Sequence, residues 1–415
     1  MGLPQKSKSF AAFIFVMLVM LFAGLYGWSY METPESITLI EGHAYQSQTV
    51  LPCSVSSIHN GYAMVKAFGM IPVKNMRVNV IPETTVFVSG APIGIRMQSK
   101  GVLITGFVGF LTQGSTYVNP AKDSGMEVGD RILAVNGKTV NSADELLSVV
   151  TSCQGKQISL SVERNGKTRA VQVRPCCEEE SNIYKIGVWV KDSAAGIGTL
   201  TFYEKDTGFF GALGHGISDA SGLFPISGGA LHEVEIFDVV KGIPGSPGEL
   251  RGYFKNAVVG IGAVRANNEA GVYGVISEDC REQVYGVEMQ VGVSSMVREG
   301  KAIVRTTIGE GEPKDYEIEI VRANKNKVTS PKGLVIKITD PDLLESTGGI
   351  VQGMSGSPIL QDGRLIGAVT HVMINDPTVG YGMFIEGMLA NKNCIHTAEK
   401  SDIQSIYEMV AEPAA

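Results

Sequence analysis

The stretch GGIVQGMSGSPILQDGRLIGAVTHV, residues 348–372, sets Ser355 between Gly353-Met354 and Gly356-Ser357-Pro358, with an apolar strand-like run following at once. A serine so placed is either a turn residue that keeps two strands in register or a nucleophile. A nucleophile needs a base within hydrogen-bond reach and donors aimed at the developing oxyanion. Flanking glycines favour the second reading, because they let main-chain N–H groups approach a reacting oxygen with no Cβ in the way. The segment does not fit the G-x-S-x-G turn of α/β-hydrolases, since Ser357 occupies the place of the second glycine.

The candidate base is His215 in GALGHGISD, residues 211–219, framed by small residues where an imidazole can protrude. It lies 140 residues before Ser355. The segment around Ser355 resembles G-x-S-G-[GS]-P of chymotrypsin-like double-barrel proteases, which share the chain order His then Ser. That places His215 and Ser355 on different barrels. The N–H groups of Gly353 and Ser355 are the expected oxyanion donors. For the acidic partner, Asp340 ends the strand-like VIKITD, with Asp219, Asp238, Asp342, Asp362 and Asp376 as alternatives. Asp362, in Gln-Asp-Gly, reads as a turn former. Of the other histidines, His43 and His59 lie far upstream, His232 lacks glycine framing, and His396 sits near the tail. His371 is expected to pack beside the cleft.

Composition narrows the field. The 415 residues include 50 glycines and 7% aromatics, which favours many short strands over long helices. The net charge of −7, with no long basic run, argues against nucleic acid as a partner. The six cysteines form no C-x-x-C pair, which argues against a structural zinc site, and they are expected to be mostly reduced and buried. His232-Glu233 begins like H-E-x-x-H, but Ile236 stands where the second ligand belongs. No metal or other cofactor is expected.

Residues 10–26, FAAFIFVMLVMLFAGLY, carry no charge and follow Lys6 and Lys8. Carried to Trp28, the run spans about 30 Å as a helix, enough for a bilayer. The lysines favour a cytoplasmic amino end, and Tyr26, Trp28 and Tyr30 suit the far interface. An uncleaved anchor over 1–30 is the preferred reading, ahead of a cleaved signal peptide. Residues 31–88 read as a β-rich linker module.

In residues 119–150, NPAKDSGMEVGDRILAVNGKTVNSADELLSVV, the pattern A-x-x-S-G-φ-x-x-G-D-x-I-x-x-V-N-G (φ apolar) resembles PDZ domains. Asn136-Gly137 signals a tight hairpin turn. Ser142 to Glu145 forms a capping box that opens a helix. The resemblance assigns residues 89–178 to a PDZ domain with a peptide groove at Ile93, Gly94, Ile95, Leu146 and Val150. From 179 to 415, glycine-punctuated strands recur about every ten residues, as in a β-barrel pair. SDIQSIYEMV, near the end, reads as a helix. The expected fold is mainly β: an anchor, a PDZ domain and a double-barrel peptidase.

An apolar amino terminus, the PDZ pattern, GALGHGISD and GMSGSPILQDGRLIGAVTHV occur here in that order. Together with VIPETTVFVSGAPIGIRMQSKGVLITGF and KGIPGSPGELRG they resemble the stage IV sporulation protein B family of signalling serine peptidases. The resemblance implies His215 as base, Ser355 as nucleophile and Asp340 as the acidic member. It implies export to the forespore intermembrane space and cleavage of the chain's own amino-terminal region. It further implies cleavage of a membrane-bound regulator, which releases an intramembrane metalloprotease that processes the sigma-K precursor. A contrasting expectation is a membrane-anchored PDZ adaptor with a non-catalytic barrel. A cysteine protease is disfavoured because no cysteine has the glycine framing of Ser355.

Overall fold

A computed structural model describes residues 5–43, 51–219, 222–256 and 258–394. The expected carboxy-terminal helix and His396 lie outside the described residues. The chain is mainly β. Helix α1, Gln5–Glu32, contains an apolar stretch, Phe13–Glu32, long enough to cross a membrane. Its end docks on the next module. Tyr26 donates its hydroxyl to the Pro72 carbonyl, and Ser29 and Thr33 are buried. That module is a four-stranded sheet of β1 (Ser36–Ile40), β2 (Cys53–Val55), β3 (Tyr62–Ala67) and β4 (Ile71–Ile81), ordered β1-β4-β3-β2.

Strand pairing reaches across the expected boundaries at 88 and 178. Strand β5 (Thr85–Val88) leaves the linker module and pairs with peptidase strands. Strand β6 (Pro92–Phe107) serves two domains. Residues 92–99 pair within a barrel, and Val102 and Leu103 pair with β7 (Arg131–Val135) of the PDZ domain. The PDZ domain continues through α2 (Ala143–Ser152), β8 (Ile158–Arg164) and β9 (Lys167–Val173). The chain then returns along β10 (Val188–Tyr203), which pairs antiparallel with β6 from Val188–Phe107 to Thr199–Pro92. The PDZ domain is thus inserted into a barrel on two continuous strands. A break at Lys191–Ser193, opposite the Ser99–Val102 corner, marks where the two domains meet. Gly101 turns that corner at φ +81°, a conformation that favours glycine.

The first barrel closes through β6, β10, β11 (Phe209–Ala212), β12 (Ile226–Val240), and then β13 (Gly262–Asn268) and β14 (Gly271–Ile276). The second is a closed barrel of β15 (Gly300–Thr306), β16 (Lys314–Ala323), β17 (Leu334–Ile338), β18 (Pro358–Gln361), β19 (Arg364–Met373) and β20 (Asp376–Phe384). Each barrel and the PDZ domain has its own apolar core. The local sequence signals hold. Asn136-Gly137 and Asn165-Gly166 take positive φ at both central positions, and Ser142 caps α2 by accepting the Glu145 N–H.

Candidate active site

His215 and Ser355 line one cavity of about 380 Å³, shared with Ile197, Leu213, Gly353 and His371. The first barrel supplies His215, three residues beyond the end of β11. Leu213 and Gly214 turn the chain there with φ of +67° and +66°. The second barrel supplies Ser355, on the turn that leads into β18.

Thr199 and Thr201 on β10 hold the serine turn. The Thr199 N–H donates to the Ser355 carbonyl at 2.9 Å, and its hydroxyl donates to the Gly353 carbonyl at 2.8 Å. The Thr201 hydroxyl donates to the Gly356 carbonyl at 2.7 Å. With these carbonyls fixed, the N–H groups of Gly353 and Ser355 remain without hydrogen-bond partners among the described residues. That is the condition for an oxyanion site. Gly353 and Gly356 have φ of +98° and +95°. A Cβ on Gly356 would collide with the Thr199 carbonyl and the Leu213 backbone, so the glycine lets the two barrels meet. Ser357 is buried and bonds Thr306 instead of facing the cavity. The two threonines escaped sequence reading. Their only sign was the Thr-Leu-Thr alternation at 199–201, which puts both on one strand face.

The His215 Nδ1 lies 2.9 Å from the Gly216 carbonyl. A carbonyl only accepts, so Nδ1 carries the proton and Nε2 keeps its lone pair. Burial pushes the His215 pKa below its ordinary value. His371 packs its ring 4.6 Å from that of His215. Burial, with repulsion from His215 and Lys332, lowers the His371 pKa to about 4 and keeps it neutral. The Ser355 hydroxyl donates to the Thr370 carbonyl at 2.8 Å, and must swing off it to give its proton to an imidazole.

Asp340 does not join this group. Its Oδ1 accepts the N–H groups of Asp342 and Leu343, capping helix α3 (Pro341–Thr347), and its Oδ2 accepts from Glu317. An N-cap carboxylate satisfies the first turn of its own helix and is turned to that task. Among the alternatives, Asp219 is buried against Arg131. Asp238 pairs with Arg251 and Asp362 with Arg298, both on the surface. Asp342 lies in the first turn of α3, and Asp376 bonds Thr378. His232 is a buried core histidine stacked on Phe254.

The expected PDZ groove divides in the same way. Ile93 and Ile95, 2% and 1% exposed, belong to the first-barrel core, and Gly94 faces the Phe254 ring. Leu146 and Val150, 4% and 2% exposed, lie inside the PDZ core. Strand pairing draws β6 into the barrel at Ile93, so the Ile-Gly-Ile segment does not meet α2. Cys53, Cys153, Cys176, Cys177 and Cys280 form no disulfide and are half-buried, less buried than expected.

Two barrels with a glycine-framed serine between them, one carrying an inserted PDZ domain, define a double-barrel serine peptidase. A family model described as SpoIVB peptidase S55 matches residues 182–389, half of the chain, and one described as PDZ domain matches residues 93–174. The chain belongs to the SpoIVB peptidase S55 family. Curated relatives match only in part, through the PDZ domain. A putative zinc metalloprotease of Lactococcus lactis is 30% identical over 22% of this chain and 19% of its own. Another, from Neisseria meningitidis, is 34% identical over 20% and 18%. The chain therefore spans about a fifth of these relatives. The PDZ domain of an SdrC-like protein from Listeria monocytogenes aligns over 22% of this chain and 87% of that one, at 18% identity and a TM-score of 0.18.

Proposed function

We propose that Ser355 is the nucleophile and His215 the general base of peptide-bond hydrolysis. The supporting observation is the Nδ1–H bond of His215 to the Gly216 carbonyl, which leaves Nε2 unprotonated on a histidine that lines the same cavity as Ser355. A backbone carbonyl here orients the imidazole, as a carboxylate does in other serine peptidases. The Ser355 hydroxyl leaves the Thr370 carbonyl, passes its proton to Nε2 and attacks the substrate carbonyl. The N–H groups of Gly353 and Ser355 hold the oxyanion. His215 then protonates the leaving amine, and water releases the acyl group by the reverse sequence.

On this reading the protein is an anchored endopeptidase that cleaves itself near the amino terminus and cleaves a membrane-bound regulator. Its place is the forespore intermembrane space, upstream of sigma-K precursor processing. Family membership and the apolar helix α1 support that role. The Ser355→Ala protein should keep its fold, lose reaction with a fluorophosphonate probe and remain uncleaved. Folded wild-type protein that never reacts with the probe would instead support a PDZ adaptor with an inert barrel.

A further inference from the structure

Strand β10 touches both functional regions of the molecule. Its residues Ala195, Gly196 and Ile197 line the cavity with Ser355 and His215. Its residues Val188 and Val190 pack half-buried on the PDZ core, as does Val149 of α2. Between those ends the strand has one partner. Residues 188–198 pair with β6, and no other strand among the described residues pairs with them.

The hydrogen bonds of the strand fix which groups face the open side. Leu200 N–H donates to Ala91, on the β6 side, while Thr199 N–H donates to Ser355, on the cavity side. The register is unbroken from Ser193 to Thr199. Backbone groups alternate along a strand, so those of Ser193, Ala195 and Ile197 face away from β6. An edge of this kind is a template for an added strand, the mode by which PDZ domains take extended peptides. Beyond Ser193 the register shifts at Lys191–Ser193 and again at Trp189–Val190, and the strand runs on beside α2, whose first turn is tied to it where the Ala143 N–H donates to the Asp192 carboxylate at 2.9 Å.

We propose that the occupant of this edge is the polypeptide substrate itself. An extended segment pairs with β10 from the catalytic cavity to the PDZ domain, so that one strand serves as the floor of both sites. The span from Ile197 to Val188 is about 30 Å, so the segment needs about ten extended residues beside the scissile bond. Continuity of the edge with the cavity identifies this occupant. The peptide-binding strand of the PDZ domain is then β10, which follows the domain in sequence, in place of the expected Ile93–Ile95. This inference rests on Ser355 and His215 being the hydrolytic pair.

The test uses full-length protein in detergent and three peptides with the same scissile core. One is short, and the other two each extend it by about ten residues, one on each flank. The expected result is a kcat/KM at least tenfold higher for an extension on one flank. N-methylation of alternate amides in that extension, which blocks strand pairing and leaves the protein untouched, should return the ratio to near one. Ser193→Pro, which removes an outward-facing N–H and spares the β6 ladder, should lower the same ratio. Extended and short peptides cleaved equally well, or an N-methylated extension that keeps the advantage, would overturn the proposal. Loss of cleavage of all three peptides by wild-type protein would instead refute the hydrolytic assignment.

Discussion

At the scale of single residues, the site depends on groups that hold the reacting atoms as much as on those atoms. Thr199 is buried and fixes the carbonyls on either side of the candidate oxyanion site. Thr199→Val keeps the shape and removes one hydroxyl hydrogen bond, worth about 1 kcal/mol net. The expected outcome is a roughly fivefold lower kcat with KM nearly unchanged, because a loosened Gly353 matters most when the oxyanion forms. Steady-state kinetics on one peptide checks it; a rise in KM alone would place Thr199 in substrate binding. His215 makes a second prediction. A base works in its neutral form, and burial lowers the pKa of His215. The acid limb of kcat/KM should therefore fall below the ordinary histidine value of about 6.5. Activity half-lost at or above that pH would mean the imidazole is solvated in the working enzyme.

At the scale of elements, two strands and one ion pair join the PDZ domain to the catalytic barrel. Arg131 on β7 lies 3.6 Å from Asp219, and both side chains are 6% or less exposed. Asp219 follows His215 by four residues, so the pair links the PDZ sheet to the histidine loop. Removing one partner leaves a buried charge, at a cost of about 3–5 kcal/mol. Arg131→Met should therefore lower stability in denaturant by that order and slow Ser355 labelling, and adding Asp219→Asn should restore much of both. Independent, additive losses would show that the pair carries no coupling. The same elements show what was legible in the sequence. The Asn-Gly turns, the Ser142 cap and the PDZ pattern around Gly129-Asp130 act over a few residues, and their physics is local. The serine turn was legible for the same reason, since its glycines record a backbone need. The way the PDZ domain is joined to the barrel and the role of Asp340 were not. Whether Ile93 pairs with a PDZ strand or with β12, and whether an aspartate caps a helix or meets a histidine, depend on partners over a hundred residues away or on a helix only seven residues long.

At the scale of the whole molecule, the inserted PDZ domain is not a separable bead. A strand pair shared between two cores transmits unfolding from one to the other, because neither core keeps its ladder when the strands leave. The PDZ core also draws on residues beyond its sequence pattern. Ile186 is buried in it, and Val188 and Val190 pack against it from β10. A fragment cut at the sequence-level boundaries, 89–178, loses all three, together with the backbone partners of β6 from Leu103 to Phe107. It would expose the removed side chains' neighbours and an unpaired strand in a domain of under a hundred residues, where core area is already scarce. The fragment 89–178 should therefore give a collapsed amide proton spectrum and no cooperative thermal transition, while a fragment extended through residue 203 should recover much of its dispersion. A well-dispersed spectrum from 89–178 alone would show that the domain stands without β10, and would separate the PDZ domain from the barrel that the strands join.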